Sequence, residues 1–122
     1  GIYRSTNGGL NWKAINGTAP NDLLSFFGLT QFTAGTFRDL KVDPLDANKL
    51  YAIASNGIYK SSNALSTNPT WTKLSLGIAT SSDDFWDLEF HPDQVNNPNT
   101  IYASTNSQSA TKIGQIYKTT DG

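Results

Sequence analysis

The sequence predicts an all-β fold made by repeating one small antiparallel sheet. Three observations predict it. The composition is that of short strands and turns: charged residues make up only 16% of the chain, Asn, Ser, Thr and Gly carry the polar load, and five Tyr, three Trp and six Phe supply bulk. Short segments of period two alternate with turn signals along most of the chain. The pattern also repeats. FRDLKVDP at residues 37–44 sets over FWDLEFHP at 85–92, NKLYA at 48–52 over NTIYA at 99–103, and GIYKSS at 57–62 over GQIYKTT at 114–120. The spacing drifts from 48 residues between Phe37 and Phe85 to 58 between Tyr59 and Tyr117, which puts the length changes in loops. A unit slightly longer than 50 residues with four strand patterns matches one blade of a β-propeller, a twisted four-stranded antiparallel sheet.

Taken in order, residues 1–5 read as a strand, with Ile2 and Arg4 on one face. Asn7-Gly8-Gly9 is a turn, because glycine takes positive φ freely and Asn bonds nearby backbone N–H groups. Residues 11–15 return as the second strand of a hairpin. Residues 16–36 form a long connection with an apolar centre at 23–29, expected to fold back and bury its Leu and Phe side chains, with a binding loop as the alternative. Residues 37–42 alternate at strand period and end at Asp43-Pro44. A polar turn is expected at 45–49, a strand at 50–54, a hairpin turn at Asn56-Gly57 and a strand at 58–61. After a loop at 62–69, residues 70–74 give a fourth strand. The cycle restarts at 85–90, with His91-Pro92 where Asp43-Pro44 stood, and continues through 101–105, a polar loop at 106–112 and 116–119.

The expected organisation is therefore the last two strands of one blade at 1–15, an inter-blade connection at 16–36, a complete blade at 37–74, and the first three strands of a third blade at 85–122. About two blades make an incomplete ring, since propellers use four or more. Both ends fall inside repeated motifs, so a fragment of a longer chain is expected, with the rest of its own propeller as its first partner.

Composition narrows the function classes. Nine Lys and Arg against ten Asp and Glu leave no electrostatic footprint for nucleic acid. No apolar run approaches the roughly 20 residues of a membrane-spanning helix. The chain has no Cys and one His, so a thiolate or zinc site is not expected, and no metal or other cofactor is assigned.

The turn unit Ser5-Thr6-Asn7-Gly8-Gly9-Leu10-Asn11-Trp12 resembles the Asp-box, or BNR repeat, of pattern Ser/Thr-x-Asp-x-Gly-x-x-Trp, with Asn7 in place of Asp. Thr119-Thr120-Asp121-Gly122 looks like the start of a box with its Asp present. Ser61-Ser62-Asn63 opens one that lacks the glycines and carries three extra residues before Trp71. With the strands around it, the chain is similar to propellers of the sortilin, photosystem-assembly-factor and xyloglucanase type. That resemblance implies structural roles on the outer rim for Ser5, Asn7, Gly9, Trp12, Ser61, Asn63, Trp71, Thr119 and Asp121. Its Asn- and Thr-rich, Cys-free style also resembles BNR-repeat proteins of Bacteroidota, often cargo of type IX secretion, which implies a bacterial secreted or cell-surface protein.

The resemblance implies no fixed activity. Sialidases with this box use an arginine triad, and this chain has only Arg4 and Arg38. Xyloglucanase-like enzymes use two carboxylates, for which Asp39 and Asp87 are the candidates. Their recurrence at equivalent positions favours a repeated role, bonding backbone or hydroxyl groups near the strand start. Trp86 stands where the other copy has Arg38, and suits either stacking on a sugar ring or packing against the neighbouring blade. His91 replaces an Asp before Pro and is expected to serve the turn. Asp83-Asp84 lies in a Ser-rich loop as a solvated pair or a Ca²⁺ candidate, and Asn16-Gly17-Thr18 is a glycosylation sequon in a secretory setting. The leading expectation is a non-catalytic binding or scaffolding module for a glycan or protein partner, with Trp86, Asp87 and Asp39 as the residues for ligand contact. Part of a glycoside hydrolase whose catalytic residues lie mostly elsewhere is the alternative, and an assembly factor is a third.

Overall fold

The computed structural model describes residues 1–16, 36–74, 84–106 and 113–122. The apolar centre of the long connection, the Asp83 half of the acidic pair, most of the sequon and the loop at 107–112 lie outside the described residues.

Nine strands and no helix are found among the described residues. They are β1 (Tyr3–Arg4), β2 (Lys13–Ala14), β3 (Phe37–Asp43), β4 (Asp46–Ala54), β5 (Gly57–Ser61), β6 (Thr72–Lys73), β7 (Phe85–Phe90), β8 (Ile101–Thr105) and β9 (Ile116–Thr119). They form three antiparallel sheets, in the orders β1-β2, β3-β4-β5-β6 and β7-β8-β9. We call these the first, second and third sheets.

The strand bounds differ from expectation where side chains close the turns. Asp43 Oδ1 accepts the Leu45 N–H at 2.8 Å, which completes a turn at Pro44-Leu45 and lets Asp43 pair with Asp46. The expected turn at 45–49 is therefore mostly strand, with a register shift between Val42 and Asp43 absorbing the extra residues. The next hairpin closes on the pair Ala54↔Gly57, so its turn is Ser55-Asn56 rather than Asn56-Gly57. Gly57 has φ 144°, a conformation that side chains rarely adopt.

Strand β4 shows how the layers pack. Side chains on a strand alternate between faces. Leu50, Ala52 and Ala54 join Ile2, Ile15, Tyr59, Ala64 and Trp71 in one core, between the first and second sheets. Tyr51 and Ile53 join Ile58, Phe85, Leu88, Ile101 and Ala103 in a second core, between the second and third sheets. The second sheet is thus apolar on both faces. Each large side chain fully buried there contributes about 1.5–3 kcal/mol.

Strands β3 and β7, each the first of its sheet, carry the same irregularity. A register shift falls between Phe37 and Asp39 in β3, and between Phe85 and Asp87 in β7. An extra residue at this point breaks the simple alternation and leaves a backbone group outside the ladder. Past this point apolar Leu88 is 2% exposed while Leu40, its counterpart, is 43% exposed. Leu88 is covered by the second sheet. The first sheet, with two strands among the described residues, does not cover Leu40.

Candidate functional site

Two constructions recur in the fold, the corners that follow β1, β5 and β9 and the edge on which β3 and β7 lie side by side. At the first corner, Ser5 Oγ donates to Asn7 Oδ1 at 3.0 Å and accepts the N–H groups of Asn7 at 3.3 Å and Gly9 at 2.8 Å. Asn7 Oδ1 also accepts the Asn11 N–H at 2.9 Å. Gly8 and Gly9 take φ 70° and 91°, which lets these N–H groups converge. At the second corner Ser61 Oγ donates to Asn63 Oδ1 at 3.1 Å, and Asn63 Oδ1 accepts the Thr70 N–H at 2.9 Å. Asn11 and Thr70 each precede a Trp, so the three-residue insertion bulges out and leaves the bonding scheme intact. The third corner shows the same opening: Thr119 Oγ1 bonds Asp121 Oδ1, the Asp121 N–H donates to Thr119 Oγ1 at 3.3 Å, and Gly122 takes φ 73°.

The corners tie one sheet to the next. Trp71 is 4% exposed, and its Nε1–H donates to the Ile15 carbonyl of the preceding sheet at 2.7 Å. Trp12, at the same repeat position, is 64% exposed. Arg4 reaches forward to the second corner, with Nη1 on the Ala64 carbonyl and Nη2 on the Ser66 carbonyl at 3.2 Å. Lys60, its counterpart, donates to the Gly122 carbonyl of the third corner at 2.9 Å. Ala64 and Gly122 are themselves equivalent positions. This basic clamp was not singled out in the sequence. Its signal is the basic residue after Tyr in GIYR, GIYK and QIYK.

On their shared edge, β3 and β7 set equivalent residues side by side. The Arg38 guanidinium lies over the Trp86 ring at 4.5 Å and grips Asp84, with Nη2 at 3.1 and 2.9 Å from its two carboxylate oxygens. Trp86 is still 51% exposed. Lys41 Nζ lies 2.8 Å from Glu89 Oε1, 3.3 Å from Asp39 Oδ2 and 3.8 Å from Asp87 Oδ1. Asp39 Oδ1 accepts the Leu40 N–H and Asp87 Oδ1 the Leu88 N–H, each at 2.8 Å. Both carboxylates therefore bond the backbone just after the irregularity in their strand. Burial pushes the Asp39 carboxyl up, but the Leu40 N–H, hydrogen bonding with Asp87 and the Lys41 ammonium outweigh it, and the net shift is downward. The Glu89 hydrogen bond leads in raising Lys41, against some desolvation, with Asp39 adding to the rise.

The sequence-derived ligand candidates Trp86, Asp87 and Asp39 thus sit on one edge, joined by Arg38, Lys41, Asp84 and Glu89. Glu89 and Lys41 were not singled out in the sequence, although they occupy one repeat position with opposite charge. His91 lies apart from this edge. Its Nδ1 accepts the Asp93 N–H at 3.1 Å, as Asp43 accepts Leu45, and its ring stacks on Tyr102. No group of three His, Asp or Glu among the described residues is placed to hold a metal ion. Comparison with protein-family models, with curated proteins and with solved structures gives no match.

Proposed function

We propose that the chain is a segment of an Asp-box β-propeller, acting as a non-catalytic binding module of an exported or cell-surface protein that recognises a glycan. The repeat supports the propeller reading: consecutive sheets meet through the same positions, with β3 and β7 side by side at one end and the corners at the other. Blades arranged about an axis bring their inner strands together in this way.

The observation that carries the glycan reading is the exposed Trp86 stacked under the Arg38 guanidinium, which also grips Asp84. An indole offers an apolar face to a sugar ring, and adjacent Arg38, Asp84 and Asp87 offer donors and acceptors to its hydroxyls. The carboxylates suit binding better than glycoside hydrolysis. A general acid needs a raised pKa, whereas Asp39 is lowered and Lys41 lies beside Asp39, Asp87 and Glu89 together.

Glycan-array binding by the protein, lost in Trp86→Ala with the fold intact by circular dichroism, is the expected result. An array without hits, or hits that survive Trp86→Ala, would overturn it. Turnover of xyloglucan or sialosides abolished by Asp87→Asn would establish the hydrolase alternative instead.

A further inference from the structure

The chain has one histidine, and His91 stands where the preceding repeat has Asp43. Both residues close the turn that follows the first strand of a sheet, and both do so by the same bond. Asp43 Oδ1 accepts the Leu45 N–H at 2.8 Å, and His91 Nδ1 accepts the Asp93 N–H at 3.1 Å. The two kinds of acceptor respond differently to pH. A carboxylate keeps its charge down to about pH 4, whereas imidazole takes up a proton between about pH 5 and 8. With both nitrogens protonated the ring has donors only. Nδ1 then meets the Asp93 N–H donor to donor, and the bond is lost.

Much of the turn hangs on Asp93. Its carbonyl accepts the Asn97 N–H at 3.0 Å and the Asn97 side-chain amide at 3.2 Å. Its carboxylate accepts the Asn96 N–H at 3.3 Å and Asn96 Nδ2–H at 2.8 Å. Other anchors do not use the imidazole. The His91 N–H donates to the Thr100 carbonyl at 3.0 Å, and Gln94 Nε2 donates to the His91 carbonyl at 2.7 Å and the Thr100 carbonyl at 3.2 Å. Loss of the Nδ1 bond therefore loosens residues 93–97 while the end of the β7-β8 ladder stays closed.

Charged and aromatic groups face the ring from each neighbouring element among the described residues. Its own turn brings the Asp93 carboxylate. β8 brings Tyr102, whose ring stacks on the imidazole with centroids 6.3 Å apart. β9 brings Lys118, with Nζ 5.9 Å from the Tyr102 ring centroid. β7 brings Glu89, opposite Tyr102 across the ladder and already held by Lys41. The Asp93 carboxylate and the Tyr102 face receive a cation favourably, and Lys118 opposes it.

We propose that His91 is a proton-operated latch on the β7-β8 turn: the neutral ring holds Asp93, and protonation releases residues 93–97. Of the two equivalent turns only this one responds, because a carboxylate closes the β3-β4 turn. The proposal does not rest on the glycan reading, since its readout is the turn's own amides.

The test is an NMR titration of the full nitrogen-15-labelled chain from about pH 8 to about pH 5, with hydrogen-exchange protection measured at both ends. The Asp93 amide proton should move with the same midpoint as the His91 Cε1–H. Protection at Asp93 should fall about fivefold on acidification, as for loss of one neutral hydrogen bond, while protection at Leu45 changes less than about twofold. His91→Asp, which copies the other turn, should keep the turn closed and abolish the response. His91→Phe keeps a ring against Tyr102 but has no acceptor, and should leave Asp93 as weakly protected at about pH 8 as the parent chain is at about pH 5. An Asp93 amide that ignores the imidazole midpoint, a Leu45 amide that moves equally, or a response that survives His91→Asp would overturn the proposal.

Discussion

Trp71 and Trp12 share a repeat position and have opposite surroundings, so they provide a matched pair of substitutions. Trp71→Ala removes an indole packed among Ile2, Ile15 and Leu50 and deprives the Ile15 carbonyl of its donor. Truncation of a buried aromatic costs about 3–5 kcal/mol, and the stranded carbonyl lies within that range rather than on top of it. Trp12→Ala, at 64% exposure, is expected to change stability by about 0.5 kcal/mol or less. In urea titration followed by far-ultraviolet circular dichroism, with a slope of about 2 kcal/mol/M, the first change lowers the midpoint by about 1.5–2.5 M and the second by under about 0.3 M.

The location of the loss is equally specific. A two-stranded sheet is marginal alone, and β1-β2 depends on the second sheet for its core. Hydrogen exchange at the Ile15 amide, which bonds the Ile2 carbonyl, should accelerate in Trp71→Ala well before that at amides of β8. The reasoning fails if the two substitutions cost the same, or if Trp71→Ala costs under about 1 kcal/mol.

Four further outcomes are expected. Asn63→Ala removes the acceptor of the Ser61 hydroxyl and the Thr70 N–H, and should lower stability by about 1–2 kcal/mol in the same urea titration. Gly57→Ala should cost about 1–2 kcal/mol by thermal or urea unfolding because of φ 144°. The added Cβ would lie 2.5 Å from Lys73 Cε, a flexible chain end, so adding Lys73→Ala should not restore stability. Burial, followed by the charge of Asp43, pushes the Tyr51 hydroxyl up to about 12 from an ordinary value near 10. Its contribution to stability is complete below pH 10 and is lost as pH rises toward 12, so absorbance at 295 nm should show one tyrosine titrating near 12 in the folded chain and near 10 in Tyr51-containing denatured chain. Asp39 has the opposite sign: its stabilisation is present above its ordinary value of 3.8 and fades as pH falls through the lowered value, so carbon-13 titration should show its midpoint rising in Lys41→Met.

The all-β class was legible because period-two patterning and turn residues are local signals. The tight Asp43-Pro44-Leu45-Asp46 turn was not, because it depends on a side chain reaching the backbone two residues on. The irregularities at Arg38 and Trp86 were hidden too. Their residues alternate in sequence as an ordinary strand would, and only the ladder shows the shift. For the site, the repeat set Asp39 and Asp87 at equivalent positions and Trp86 opposite Arg38 in the alignment of the two copies. It did not show that Arg38 and Trp86 touch, since a repeat aligns positions without stating which copies meet.

That distinction bears on how the β3–β7 edge specifies its neighbours. Between β3 and β7, matched positions have diverged in complementary ways: Arg38 faces Trp86, and Lys41 faces Glu89. Identical residues would have set two guanidinium groups or two ammonium groups together, at a cost in repulsion. The retained pair, Asp39 and Asp87, is tolerated because Lys41 stands near both and each carboxylate accepts a backbone N–H. The corners, by contrast, repeat one scheme, in which Arg4 and Lys60 both clasp backbone carbonyls, groups that every sequence possesses. The corners therefore hold adjacent sheets through backbone carbonyls, and the β3–β7 edge adds side-chain complementarity between one particular pair of strands.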